Sequence, residues 1–242
     1  MNFQALQSLV SQPRLQSYLD ACLQDQDKTI WLYQANIALS QELSGAINWF
    51  EVILRNMIDQ QYTARWQNWL VDTQVTNSFL SASNRKCRHS IDRINATIDK
   101  LNKQNKTISH NNIVGELSFG FWVTLFEENQ FYAGKKELIR VFFQESFVRV
   151  NEQTKRNFRL KDSQIRILLY DKLKTIQLLR NRIAHHEPIC IYKKVINTTK
   201  TALAFQTLLE LLKWMGVNAP DYISNIPQIN RIIHNINSLH VK

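Results

Sequence analysis

At 242 residues and 44% hydrophobic content, the chain can bury a sizeable core without metal or disulfide support. Five Gly and four Pro, far below the average usage of roughly 7% and 5%, supply few of the tight turns a sandwich or barrel needs, so the expected class is all-α. Thirty Lys and Arg against twenty Asp and Glu give a net charge of +10, which attracts polyanions and makes nucleic acid the first partner to consider.

In chain order, the opening MNFQALQSLV has no basic start followed by a long apolar run, so no secretion signal is expected. Ser11 to Pro13 reads as a break and restart, with Leu15, Leu19 and Leu23 spaced by four behind it, which predicts two short helices. From Lys28 to about Trp66 the pattern is helical and weakened only at Gly45. Leu43, Ile47, Phe50, Leu54 and Ile58 form its apolar stripe. Ser83 is a candidate N-cap for a basic helix through Ile91, Ile94, Ile98 and Leu101, and the polar run NKQNKTISHNN from Asn102 reads as a loop.

Ile113 to Glu127 carries GELSFGFWVTLF, apolar nearly all round and broken only by Gly115 and Gly120. It predicts a buried helix pair, and its apolar window is too short to span a bilayer. A further helix is expected near Lys135 to Val148. The strongest helix runs from Asp162 to His186, with Ile165, Leu169, Leu173, Ile176, Leu179 and Ile183 at spacings of three and four, until Pro188 stops it. An amphipathic helix from Thr199 to Met215 ends at Gly216, and the tail after Pro220 is expected to be helical with little cationic surface. With no repeat, low-complexity tract or linker to mark a boundary, residues 1–242 are expected to form a single all-helical domain. Cys22, Cys87 and Cys190 are odd in number and form no CxxC pair, which suits a reduced cytoplasm.

The segment LRNRIAHHEP from Leu179 concentrates the most reactive side chains at a helix end. Asn181 and His185, four apart, share one face, so the amide can reach the imidazole and orient it. Arg180, about 140° round the helix from His185, falls on the apolar stripe and needs an anionic partner. A phosphate would serve, and Glu51 on the margin of another stripe is the protein candidate, with Arg55 at i+4 its local rival. Arginine to hold a scissile phosphate, beside a histidine that exchanges protons near neutral pH, is the minimum for metal-independent RNA cleavage. The ribose 2′-hydroxyl would be the nucleophile and a 2′,3′-cyclic phosphate the product. A purely structural reading has Arg180, His185 and Glu187 knitting the helix end to its neighbours. Adjacent His185 and His186 diverge by about 100°, a poor arrangement for a shared metal, so neither metal nor other cofactor is expected.

Arg180-Asn181-x-x-x-His185 resembles the motif of HEPN ribonucleases. Together with NWFEVILRN from Asn48 and GELSFGFWVTLF from Gly115, RNRIAHHEP resembles the three-block signature of Abi-like proteins within that superfamily, over about residues 28–190. The resemblance implies a HEPN-type helical bundle with additional helices, residues 191–242 packing on the same bundle. It also implies a homodimer in which two Arg/His motifs face one composite cleft. The implied activity is that of an endoribonuclease acting as a toxin or phage-defence effector, restrained by an antitoxin protein or a noncoding RNA. Arg180, Asn181 and His185 carry over as catalytic residues, with Glu51, Arg55, His186 and Glu187 in support. Where one toxin branch has a modifiable Tyr two positions after the motif His, this chain has Glu187. Leu54-Arg55-Asn56 echoes the motif, but Gln60 stands where its histidine would be, so Arg55 reads as structural.

RNA is expected to engage two basic stretches: Arg85, Lys86, Arg88 and Arg93 in one, Lys155, Arg156 and Arg159 in the other, with Arg182 beside the motif. Aromatics are sparse in both stretches, so affinity should be mainly electrostatic. A catalytically silent RNA-binding or protein-interaction module of a defence system is the competing reading. The Arg180/His185 pair separates the two, because a mere adaptor has no use for both together.

Overall fold

The chain is described by a computed structural model that covers residues 2–72 and 88–239. Ten α-helices and two two-stranded hairpins make up the described residues, an all-α fold. Two compact units are present, each built from separated stretches of sequence. Unit one comprises Met1–Trp49, Leu178–Glu210 and Asn218–Lys242, and unit two comprises Phe50–Gln177 and Leu211–Val217.

In unit one, Asn2 caps α1 (Phe3–Val10) by accepting the Ala5 N–H at 2.9 Å. Ser11, at φ 77°, then turns the chain into α2 (Gln12–Ala21), whose first turn carries Pro13. Phe3, Leu6, Leu15 and Leu19 form one buried cluster, with Ile30 and Tyr33 packed against it. Leu23 does not extend the stripe of α2, as its spacing predicts. The helix has already ended, and Leu23 stands 89% exposed at φ 53°. Asp25 accepts the Lys28 N–H at 3.0 Å and starts α3 (Gln26–Thr63). That helix passes Gly45 unbroken, since its hydrogen bonds do not depend on the missing side chain. Within this unit Leu32, Leu39, Leu43 and Ile47 are buried along it.

The segment after the motif is held firmly. Asn36 Oδ1 accepts the Ile189 N–H at 2.8 Å, and the Thr201 hydroxyl donates to the Ile189 carbonyl. Strands β3 (Ile191–Tyr192) and β4 (Val195–Ile196) close through Lys193 and Lys194, both at positive φ. The unit also takes Ala204, Phe205 and Leu208 from the helix α9 (Thr199–Trp214), and Ile229, Ile232 and Ile236 from α10 (Ile226–Ser238). The Asn225 amide before α10 donates to the Glu42 carbonyl and to Glu42 Oε2, at 3.0 and 2.6 Å.

Unit two is organised around aromatic rings. Trp69 meets Tyr62, Phe121 and Trp122 with ring centroids 5.0 to 6.3 Å apart, and all four are fully buried. Here α3 contributes Phe50, Leu54 and Ile58. The basic helix is α4 (Arg88–Lys103); its expected N-cap, Ser83, lies outside the described residues. The loop expected from Asn102 stops early, because Ser109 caps α5 (His110–Glu116) by accepting the Asn112 N–H. The expected buried helix pair is α5 and α6 (Phe119–Thr124).

A single helix from Lys135 to Val148 does not form. The short α7 (Glu128–Ala133) precedes it, Lys136 sits at φ 64°, and two 3-10 turns follow, Glu137–Val141 and Gln144–Phe147. Leu138, Ile139, Val141, Phe142 and Phe147 are all buried, and the Phe143 N–H donates to the Trp214 carbonyl at 2.7 Å. Tertiary burial has overridden helix propensity there. Strands β1 (Val148–Val150) and β2 (Asn157–Arg159) then form an antiparallel hairpin. The helix α8 (Asp162–Ala184) follows, with Ile165, Leu169, Leu173 and Ile176 fully buried. Gly216, at φ 76°, lets the chain leave α9 where a Cβ would strike the Phe143 ring.

Candidate functional site at the end of α8

The last turn of α8 belongs to unit one and ends in a specific hydrogen-bonded turn. The Glu187 N–H donates to the Arg182 carbonyl at 2.8 Å and the His186 N–H to the Ile183 carbonyl at 3.0 Å, the two bonds of a Schellman motif. His186 therefore occupies the left-handed position usually taken by Gly, at φ 54°. His185 is the cap residue; its N–H donates to the Asn181 carbonyl at 2.9 Å and its side chain is exposed.

The arginines of the segment differ in their commitments. Arg182 is clasped locally: its Nε lies 3.3 Å from Glu187 Oε2, and its guanidinium donates to the Pro188 carbonyl. That clasp closes the exit turn over the helix end and gives Arg182 a structural task besides any RNA contact. Arg180, expected on the apolar stripe, is half-buried. Asn181 is exposed. Among the described residues no hydrogen bond joins its amide to the His185 ring, so the link expected from i,i+4 spacing is made by backbone alone. His185 stands one residue past the last helical one.

Cys190, close behind the motif, is fully buried, and burial pushes its thiol up to about 12, so it remains a thiol rather than a nucleophilic thiolate. Burial likewise drives the Tyr18 hydroxyl well above its usual range. Cys190 and Tyr33 add to that shift, and Arg14 and Arg182 oppose it. Ile183, Ala184 and His186 line one side of a cleft of about 460 Å³, with Arg14, Tyr18, Tyr33 and Asn36 among the residues facing them. Ile183, expected in the core stripe, is accordingly only half-buried.

Arg180, Asn181, Arg182, His185, His186 and Glu187 are thus brought together in unit one. Glu51 and Arg55 belong to unit two, where Glu51 is half-buried and Arg55 donates to the Gly115 carbonyl at 3.3 Å, a structural strut. Of the basic stretches, Arg85 and Lys86 lie outside the described residues. Arg88 is exposed, and Arg93 donates to the Thr124 hydroxyl at 3.1 Å. Lys155 and Arg156 are exposed at the tip of the β1–β2 hairpin rather than on a helix. Arg159 is engaged by Gln144 at 2.9 Å and Asp162 at 3.3 Å.

Two features carry no obvious sequence signature. One is the cleft, announced only by Asn36, a polar residue in line with Leu32, Leu39 and Leu43. The other is a polar cluster in unit two, where Asp59 accepts from Trp69 Nε1 at 2.8 Å and pairs with His110 Nε2 at 2.7 Å, fixing the start of α5 against α3. Among the described residues no three His, Cys, Asp or Glu side chains gather to hold a metal ion. No described helix is long and apolar enough to cross a membrane.

A family model described as Abi-like protein matches residues 12–190 of the chain, a span that contains the whole Arg180–His185 segment. No curated protein and no solved structure matches.

Proposed function

Because the chain belongs to the Abi-like protein family, we propose that it is a metal-independent endoribonuclease of the HEPN type, serving as a toxin or abortive-infection effector against phage. The observation that carries this reading is the end of α8, where an exposed imidazole and a half-buried guanidinium five residues apart stand on a turn fixed by two backbone bonds. In the proposed reaction His185 removes the proton from a ribose 2′-hydroxyl, and the resulting oxyanion attacks the adjacent phosphorus. Arg180 binds the phosphate and offsets the charge that builds on it. The phosphorus–O5′ bond breaks and the departing oxygen takes up a proton from water, leaving a 2′,3′-cyclic phosphate and a 5′-hydroxyl end, while His185 returns its proton to solvent. Asn181, exposed one turn before His185, helps to position the strand. Neither metal nor other cofactor takes part.

Two copies supply one active cleft in this reading, which apolar exposure supports. Ile167 and Leu178, eleven residues apart on α8 and so within about 20° of one helical face, are 48% and 55% exposed. RNA is the substrate, and an antitoxin protein or noncoding RNA is the expected restraint in a cytoplasmic setting. The test is incubation of purified protein with total RNA and with DNA of matched sequence, with and without EDTA. Cleavage of RNA alone, unaffected by EDTA and ending in cyclic phosphate, is the expected result. Loss of activity in EDTA, or cutting of DNA, would remove the mechanism.

A further inference from the structure

Beside the motif lies a cleft that the cleavage chemistry itself does not use. Its position, size and lining all bear on what it holds. His186, the residue next to His185, lines it, so a strand whose phosphate lies at His185 has its neighbouring nucleotide within reach of the opening. The volume of about 460 Å³ falls in the range of small-ligand sites and admits a mononucleotide. Tyr33 is half-buried, its ring set edge-to-face with that of Tyr18 at 5.1 Å and packed against the α1–α2 cluster, so it offers a pre-placed aromatic ring at the cleft. Arg14, exposed and lining the same cleft, adds positive charge where a strand would enter.

Asn36 gives the cleft its polarity. The residue is only 4% exposed, and its Oδ1 is already occupied by the Ile189 N–H at 2.8 Å. Its Nδ2 makes no hydrogen bond among the described residues, so Asn36 has N–H donors left to offer. An amide donor at the cleft suits the exocyclic carbonyl of a base such as uracil or guanine better than the exocyclic amine of adenine.

We infer that this cleft is a nucleobase subsite that seats a keto-bearing base of the RNA strand next to the cleaved bond, stacked on Tyr33 and hydrogen-bonded by Asn36. The inference rests on the ribonuclease reading for the nature of its ligand, but it is tested through binding alone. His186 has a part in the same arrangement, since its left-handed backbone carries the turn past the cleft.

The probe is a fluorescent 2′-O-methyl oligouridylate, which lacks the free 2′-hydroxyl and cannot be cut, followed by anisotropy. Tyr33→Ala should weaken binding about tenfold, the scale of one lost base–aromatic stack, while Tyr33→Phe should retain it. The corresponding oligoadenylate should bind more weakly. A wild-type photocrosslink from a 4-thiouridine strand should fall on the peptides carrying Arg14 or Tyr33, which reads the site even if Tyr33→Ala folds poorly.

Equal affinity of a folded Tyr33→Ala protein, or crosslinks only to other peptides, overturns the subsite. So does a Tyr33→Ala change that splits a dimer without altering RNA affinity, which would assign the cleft to a second copy of the chain. A wild-type protein that binds oligouridylate through Tyr33 yet cuts no RNA would sink the nuclease reading and keep the subsite.

Discussion

His186 holds a left-handed conformation, φ 54°, at the position where the two Schellman bonds end α8. A side chain costs roughly 1–2 kcal/mol there because Cβ crowds the following carbonyl, and Gly escapes that cost while losing about 0.5–1 kcal/mol more chain entropy on folding. His186 is exposed, so its ring contributes little packing to set against the difference. His186→Gly should therefore stabilise the protein by about 0.5 kcal/mol, and His186→Ala should leave it nearly unchanged. In a chain of this size that gain raises the melting temperature by about 1–2 °C, and a urea titration should show the same sign without a change in slope. Cleavage should survive in the Gly variant, because His185 and Arg180 stay in place. A His186→Gly protein that melts several degrees lower would show that the ring's contacts outweigh the backbone cost, and the account of this turn would be wrong.

Other perturbations test the scaffold and its assembly. Arg182→Ala opens the clasp over Glu187 and Pro188 and should cost about 1 kcal/mol, reduced by partial exposure, measured by the same melts. Arg65→Ala leaves the 5%-exposed Glu137, among the described residues, with the exposed Arg140 3.3 Å away, and should cost about 2 kcal/mol; restoration by Arg65→Lys would support the ion pair as the cause. The hydrogen bond from Lys136, with Arg159 nearby, holds Asp162 below the usual carboxylate range. Its contribution is complete above the ordinary carboxylate pKa and is lost as pH falls through its own lower value. Lys136→Met should accordingly move the acid-unfolding midpoint to higher pH in a circular-dichroism titration. Ile167→Asp should turn a dimer into a monomer in sedimentation and abolish cleavage with it, whereas a wild-type monomer at micromolar concentration would contradict the composite site.

The long helices were legible because their cores are periodic: α8 buries Ile165, Leu169, Leu173 and Ile176 where their spacing puts them, and α3 buries Leu43, Ile47, Phe50, Leu54 and Ile58. The break at Ser11 and the helix end at Gly216 were legible too, but other turns were not, because the chain also bends at residues that send no turn signal. Lys135 and Lys136 take positive φ, as do Lys193 and Lys194, where Gly or Asn would have announced the bend. The stretch from Glu137 to Phe147 misled for a different reason, since Leu138, Ile139, Val141, Phe142 and Phe147 are buried without following a helical period. At the site, the motif could be read as residues in a row, but the left-handed His186, the Arg182 clasp and the cleft depend on partners far away in sequence. Asn36 and Ile189, 153 positions apart, are the clearest case.

The central claim meets its most direct test in single-turnover cleavage of a labelled RNA by the wild-type protein and by His185→Ala, purified side by side. The account predicts that the variant keeps its melting temperature and its affinity for the strand but loses cleavage by about 10²–10⁴-fold, with wild-type products ending in a 2′,3′-cyclic phosphate. A His185→Ala protein that cuts as fast as the wild type, free of contaminating nuclease, would contradict it.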